Sequence, residues 1–202
     1  MKKIFFIYGL AVAFLAPPAW ADGDAAAGKV KTASCVGCHG SDGNSAIALF
    51  PRLAGLGEKY LIAQLRHIKA GERAIVEMTG LLDSLSDQDL QDIAAYYDSQ
   101  KRQLSGAKKT DSKQGENLYR AGNLKTGVAA CIACHSPSGA GNNPAGYPAL
   151  GGQHAEYTEK QLLAYRRGER DSGTNATIMQ GVAEALSDKE IKALANYISG
   201  LN

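Results

Sequence analysis

Cys35-Val36-Gly37-Cys38-His39 and Cys131-Ile132-Ala133-Cys134-His135 are two copies of one pattern, C-x-x-C-H, set 96 residues apart in a chain of 202. The two thiols of such a pattern are spaced to add across the two vinyl groups of one haem, and the adjacent histidine is carried beneath the ring to bind iron. The spacing therefore predicts two covalently bound haem c groups, one on Cys35 and Cys38 and one on Cys131 and Cys134, with His39 and His135 as iron ligands. A structural zinc site would gather both cysteine pairs around one metal, but these pairs fall in separate repeats. A thioredoxin-like dithiol leaves both histidines unexplained and calls for a strand-rich fold. With all four cysteines used, no structural disulfide remains.

Outward from the motifs the whole chain repeats. Pro51-Arg52-Leu53-Ala54-Gly55 answers to Pro148-Ala149-Leu150-Gly151-Gly152, Tyr60 with Gln64 to Tyr157 with Gln161, and Gly71-Glu72-Arg73 to Gly168-Glu169-Arg170. After a four-residue insertion in the second half, Met78 pairs with Met179, Leu85-Ser86-Asp87 with Leu186-Ser187-Asp188, and Tyr96 with Tyr197, these last at an offset of 101. A unit this long encloses its own core, so the period is a domain duplication rather than a solenoid. Gln100–Asp111 has linker composition, and the expected domains are 22–103 and 104–202.

Each unit reads as all-α, with no alternating apolar run that predicts a strand. Tyr60, Leu61, Gln64, Leu65 and Ile68 mark a middle helix, matched by Tyr157, Gln161, Leu162 and Tyr165. Ser86 with Asp89, and Ser187 with Glu190, are serine caps followed three residues later by a carboxylate, and they announce the closing helices. Further helices are expected near Ala25–Ala33 and Lys113–Tyr119, with Gly-rich loops between.

An iron that passes electrons without binding oxygen or peroxide needs a second strong ligand opposite its histidine. Apart from Met1, the chain has only Met78 and Met179, one per repeat at equivalent positions, expected in the loop before the last helix. They are the candidate axial ligands. His67 and His154 have no counterparts in the other repeat, since they align with Ala164 and Gly57, and read as surface or hydrogen-bonded structural residues. Pro51 and Pro148 either supply the backbone carbonyls that orient the axial histidines or are ordinary turn prolines. Arg52, Tyr60 and Tyr157 are either propionate ligands or rim residues.

Met1 to Ala21 has a basic start, an apolar stretch from Ile4 to Leu15 and a small-x-small end at Ala19-Trp20-Ala21, which predicts a cleaved signal peptide. The apolar stretch falls short of the roughly 20 residues that an uncleaved anchor needs. The expected mature chain is then exported, to a periplasm, with at most peripheral membrane contact. It carries 20 basic and 20 acidic residues, which excludes the basic field that nucleic-acid binding requires. Residues 22–103 hold 9 basic and 11 acidic side chains and residues 104–202 hold 11 and 9, so the halves carry −2 and +2.

With the helix, C-x-x-C-H, P-x-L-x-G, late methionine and aromatic-bearing last helix in order, each half resembles a class I cytochrome c. The tandem arrangement resembles the cytochrome c4 family over essentially the whole mature chain. The resemblance implies two cytochrome c folds related by a pseudo-twofold axis, haem propionates near the shared interface, and His39, Met78, His135 and Met179 as axial ligands. It also implies a carrier that takes electrons from a quinol-oxidising cytochrome bc complex towards a terminal oxidase or other reductase, often loosely held at the periplasmic face of the membrane. Glu77 beside Met78 departs from the more apolar surroundings usual in the family. The competing readings are a dihaem peroxidase, which needs an open or displaceable position on one iron, and a haem subunit of a larger oxidoreductase. An equivalent methionine in both halves favours the electron carrier, not an enzyme.

Overall fold

The computed structural model describes residues 23–104 and 112–201. The expected signal peptide, Met1–Ala21, and Ser105–Asp111 of the linker lie outside the described residues. The first half contains α1 (Ala25–Lys31), α2 (Val36–His39), α3 (Glu58–Lys69), a 3-10 turn at Val76–Met78 and α4 (Asp87–Asp98). The second contains α5 (Ser112–Ala121), α6 (Ile132–His135), α7 (Ala155–Arg166), α8 (Thr174–Glu184) and α9 (Asp188–Ser199). Among the described residues there are no strands, only isolated bridges between Asn123 and Val128 and between Asn142 and Tyr147.

Local chemistry sets the helix ends. Asp24 caps α1 by accepting from the backbone N–H groups of Ala26 (2.8 Å) and Ala27 (3.2 Å). Ser86 with Asp89 and Ser187 with Glu190 form reciprocal capping boxes, so two otherwise orphaned N–H groups are satisfied at the start of α4 and of α9.

In each half the first helix crosses the last at a glycine. A Cβ on Gly28 would lie 1.9 Å from the backbone oxygen of Asp92, and one on Gly115 would lie 2.1 Å from that of Ala193. This contact brings α1 onto α4 and α5 onto α9, closing one core around Leu61, Ile93 and Tyr97 and the other around Leu118, Ile191 and Leu194. The equivalent glycines are 87 residues apart, whereas the cysteine motifs are 96 apart. The second half thus has nine additional residues between its first helix and its motif, and there the Asn123–Val128 bridge forms.

The structure corrects the placement of Met179. It lies within α8, an eleven-residue helix, while its counterpart Met78 ends a three-residue 3-10 turn. The four-residue insertion supplies the extra length of chain, and the resulting α8 packs on α7.

The halves meet along backbone-directed contacts. Gln153 accepts from Arg52 N (2.9 Å) and donates to Arg52 O (2.9 Å), and Ala149 N donates to Leu56 O (3.1 Å). The start of the linker is strapped into this seam. Asn44 donates to Lys101 O (3.0 Å) and accepts from Gln103 N (2.8 Å), while Arg102 reaches Gly55 O (3.1 Å) on one side and Gly151 O (2.8 Å) on the other.

Candidate haem-binding site

A cavity of about 900 Å³ spans both halves, and its walls include Cys35, Cys38, His39 and Met78 from one and Cys131, Cys134, His135 and Met179 from the other. The two short helices α2 and α6 carry the C-x-x-C-H motifs and turn both histidines inward, leaving each buried. Aromatic rings stand against them: Phe50 lies 6.2 Å from His39 and Tyr147 lies 6.2 Å from His135, centroid to centroid.

His39 Nδ1 lies 3.0 Å from Pro51 O and His135 Nδ1 lies 2.9 Å from Pro148 O. A carbonyl only accepts, so Nδ1 carries the hydrogen and the Nε2 lone pair is left for iron. Burial lowers the pKa of both imidazoles and outweighs the opposing hydrogen bond, which keeps them in the neutral form that ligates metal. Of the two readings of these prolines, the structure realises the one in which their carbonyls accept from and orient the histidines.

None of the four cysteines is in a disulfide. Burial raises Cys35 and pushes Cys131 up to about 11, the reverse of the lowered thiol expected in a redox dithiol. An apolar cavity holding two such dithiols, two neutral imidazoles and two thioethers fits two haem c groups. Cys35, Cys38, Cys131 and Cys134 would hold them covalently, and each would supply a one-electron iron couple.

His154 is directed away from this chemistry, with Nε2 2.8 Å from Ser45 O of the other half. His67 borders the cavity, but its Nδ1 pairs with Glu72 at 2.5 Å. Arg52 spends Nη1 on Gln103 O (2.5 Å) and Gly152 O (2.9 Å), so it braces the seam. Tyr60 and Tyr157 line the cavity and accept from Arg170 (2.8 Å) and Arg73 (3.2 Å) across the interface. Gln64, Arg73, Gln161 and Arg170 are site residues whose role the sequence reading missed. The signal was present, because Tyr-x-x-x-Gln and Gly-Glu-Arg recur in both repeats although neither is needed for haem attachment.

The protein is 53% identical to cytochrome c4 of Stutzerimonas stutzeri, over 91% of this chain and 92% of that one. The chain belongs to the cytochrome c4 family. The crystal structure of reduced recombinant cytochrome c4 from Pseudomonas stutzeri superposes with a TM-score of 0.87, covering 89% of this chain and 100% of that one at 53% identity. The domain family described as "Cytochrome c" matches residues 104–202, and that described as "Cytochrome C oxidase, cbb3-type, subunit III" matches residues 21–96. A thiosulfate dehydrogenase electron acceptor of Thiomonas intermedia is similar at 36% identity, over 98% of this chain and 91% of that one. As a cytochrome c4, the chain is a dihaem electron carrier with one covalently attached haem c in each of two cytochrome c domains.

Proposed function

We propose that the protein is a periplasmic electron carrier in which His39 with Met78, and His135 with Met179, are the axial ligands of two six-coordinate haems. The observation that carries this reading is that each half puts one proline-anchored histidine and one methionine on the wall of the same cavity. With both axial positions taken by protein, neither iron offers the vacancy that a peroxidase uses, so the chain acts as a carrier and not as an enzyme. His–Met ligation also favours the reduced iron and raises the potential.

Export follows from removal of Met1–Ala21, leaving domains at 22–103 and 104–202. No helix among the described residues is long and apolar enough to cross a membrane; we read any membrane contact as peripheral. Its electrons come from a quinol-oxidising cytochrome bc complex and leave towards a terminal oxidase or other reductase. The Thiomonas relative's name favours a second donor, a thiosulfate dehydrogenase.

Redox titration of the purified holoprotein, followed optically, tests the assignment. Two one-electron steps are expected, both with the methionine-to-iron band in the oxidised state. A haem that lacks the band and binds peroxide would support the enzyme reading instead.

A further inference from the structure

The two halves exchange arginines across the cavity. Arg73 donates through Nη1 to Gln64 Oε1 of its own half (2.7 Å) and through Nη2 to Tyr157 Oη (3.2 Å) and Gln161 Oε1 (3.1 Å) of the other. Arg170 returns the pattern, with Nη1 on Gln161 Oε1 (2.7 Å) and Nη2 on Tyr60 Oη (2.8 Å) and Gln64 Oε1 (3.0 Å). Each residue type sits at a matching place in the repeat, 97 residues apart, and all six side chains line the cavity that holds the axial-ligand candidates.

Every one of these hydrogen-bond partners is an amide or phenol oxygen rather than a carboxylate, and although burial of Tyr60 opposes its ionisation, the two arginines draw its hydroxyl below its ordinary pKa. A guanidinium remains ionised in proteins, and enclosing one without a carboxylate partner costs free energy that a nearby anion offsets. Arg170 is only 7% exposed. The ring of Tyr165, 4.6 Å from its guanidinium carbon, gives it a cation–π contact, whereas Ile68 stands at the equivalent place in the first half. Two positive charges are therefore held on the wall of the cavity that both sets of candidate iron ligands share, and each is hydrogen-bonded to both domains.

We propose that Arg73 and Arg170 form a shared cationic bridge that raises the reduction potentials of both haems, each arginine acting on the opposite domain's haem as well as on its own. A reduced haem carries one more negative charge than an oxidised one, so a fixed cation nearby stabilises the reduced form. The low dielectric of the interface strengthens that effect. The bridge makes the two potentials interdependent. The inference rests on the two-haem, His–Met reading given above, and both arginines act as positioning residues that touch the electron-transfer site only through charge.

Redox titration of the holoprotein bearing Arg73→Gln, Arg170→Gln, Arg73→Lys or Arg170→Lys tests it. Both one-electron steps of each Gln variant are expected at lower potential, so that at a fixed electrode potential the reduced-to-oxidised ratio of each haem falls at least about threefold, where tenfold corresponds to 59 mV. The Lys variants, which keep the charge but lose the fork, are expected to recover most of the shift. A step that stays in place in either Gln variant would overturn the shared bridge. Lys variants that fall as far as the Gln variants would overturn the role of charge. Unmoved potentials with both methionine-to-iron bands intact would defeat the bridge alone, whereas a wild type lacking those bands would defeat the ligation reading and the bridge together.

Discussion

His39 Nδ1 lies 3.0 Å from the carbonyl oxygen of Pro51, a contact closed across twelve residues and reproduced at 2.9 Å between His135 and Pro148 in the second half. The anchoring group is backbone, so the proline side chain matters for a different reason: its ring limits the freedom of the unfolded chain. Pro148→Ala keeps the carbonyl. It is expected to lower stability by about 0.4–1 kcal/mol in denaturant unfolding while leaving the haem potentials nearly unchanged. A large potential shift at full stability would show that the ring itself tunes the iron.

The helix crossings are expected to be intolerant of one methyl group. Gly28→Ala and Gly115→Ala each press a Cβ against backbone oxygen, at 1.9 Å and 2.1 Å, and neither helix can yield locally. Each should cost about 1–3 kcal/mol or more by denaturant unfolding. Gly181, inside α8, has open space where a Cβ would go, so Gly181→Ala should stabilise by about 0.5–1 kcal/mol. Equal effects at the crossing and open positions would contradict the packing described.

Acid should act first on the N-terminal half. Asp92 accepts from Asp24 N (2.9 Å), Lys31 Nζ (2.6 Å) and Gln88 Nε2 (2.9 Å), binding α1 to α4, and Ala193 stands at the equivalent place in α9. Burial opposes ionisation of Asp92, but these hydrogen bonds outweigh it and hold the carboxyl below its ordinary 3.8. A depressed folded pKa stabilises at pH values above the unfolded value, and the contribution is lost as pH falls through the folded one. Asp92→Ala should therefore cost about 1–3 kcal/mol at neutral pH, and the gap to wild type should narrow below about pH 4, measured by unfolding across pH. A gap independent of pH would contradict it.

Much of the fold was legible because its signals are local. The C-x-x-C-H motifs, the serine caps at Ser86 and Ser187 and the apolar faces of α4 and α9 each follow from short-range chemistry that leaves a residue pattern. Helix α8 was not legible: Thr174, Thr177 and Gly181 are modest helix formers, and the helix is held by packing on α7. The linker's first residues read as spacer by composition, yet Arg102 bridges Gly55 and Gly151 through main-chain oxygens that leave no trace in sequence. The crossed arginines were visible as repeated letters, but their partners lie 84 to 110 residues away, beyond any periodicity argument.

The charge division between the halves, −2 and +2, is expected to give the molecule a dipole that orients encounters. Acidic partners should meet the C-terminal domain, and electron transfer to them should slow as salt is raised. Arg167 is the residue to reverse, because its side chain is exposed and makes only a long, exposed pair with Glu169 (3.7 Å), whereas Arg166 is engaged with Asp188 and with Leu186 O. Stopped-flow rates with an acidic redox partner should drop for Arg167→Glu at low ionic strength and converge with wild type at high ionic strength. Rates indifferent to both changes would remove steering while leaving the haem sites untouched.

The central claim is that each domain closes its own iron with a histidine and a methionine. The most direct measurement is the oxidised absorption spectrum of holoprotein carrying Met78→Ala or Met179→Ala. The account predicts that each variant keeps both haems covalently bound, loses one of two methionine-to-iron bands at the red end, and shows a lower potential for that haem alone. A variant that retains both bands, or that loses the attached haem itself, would contradict it.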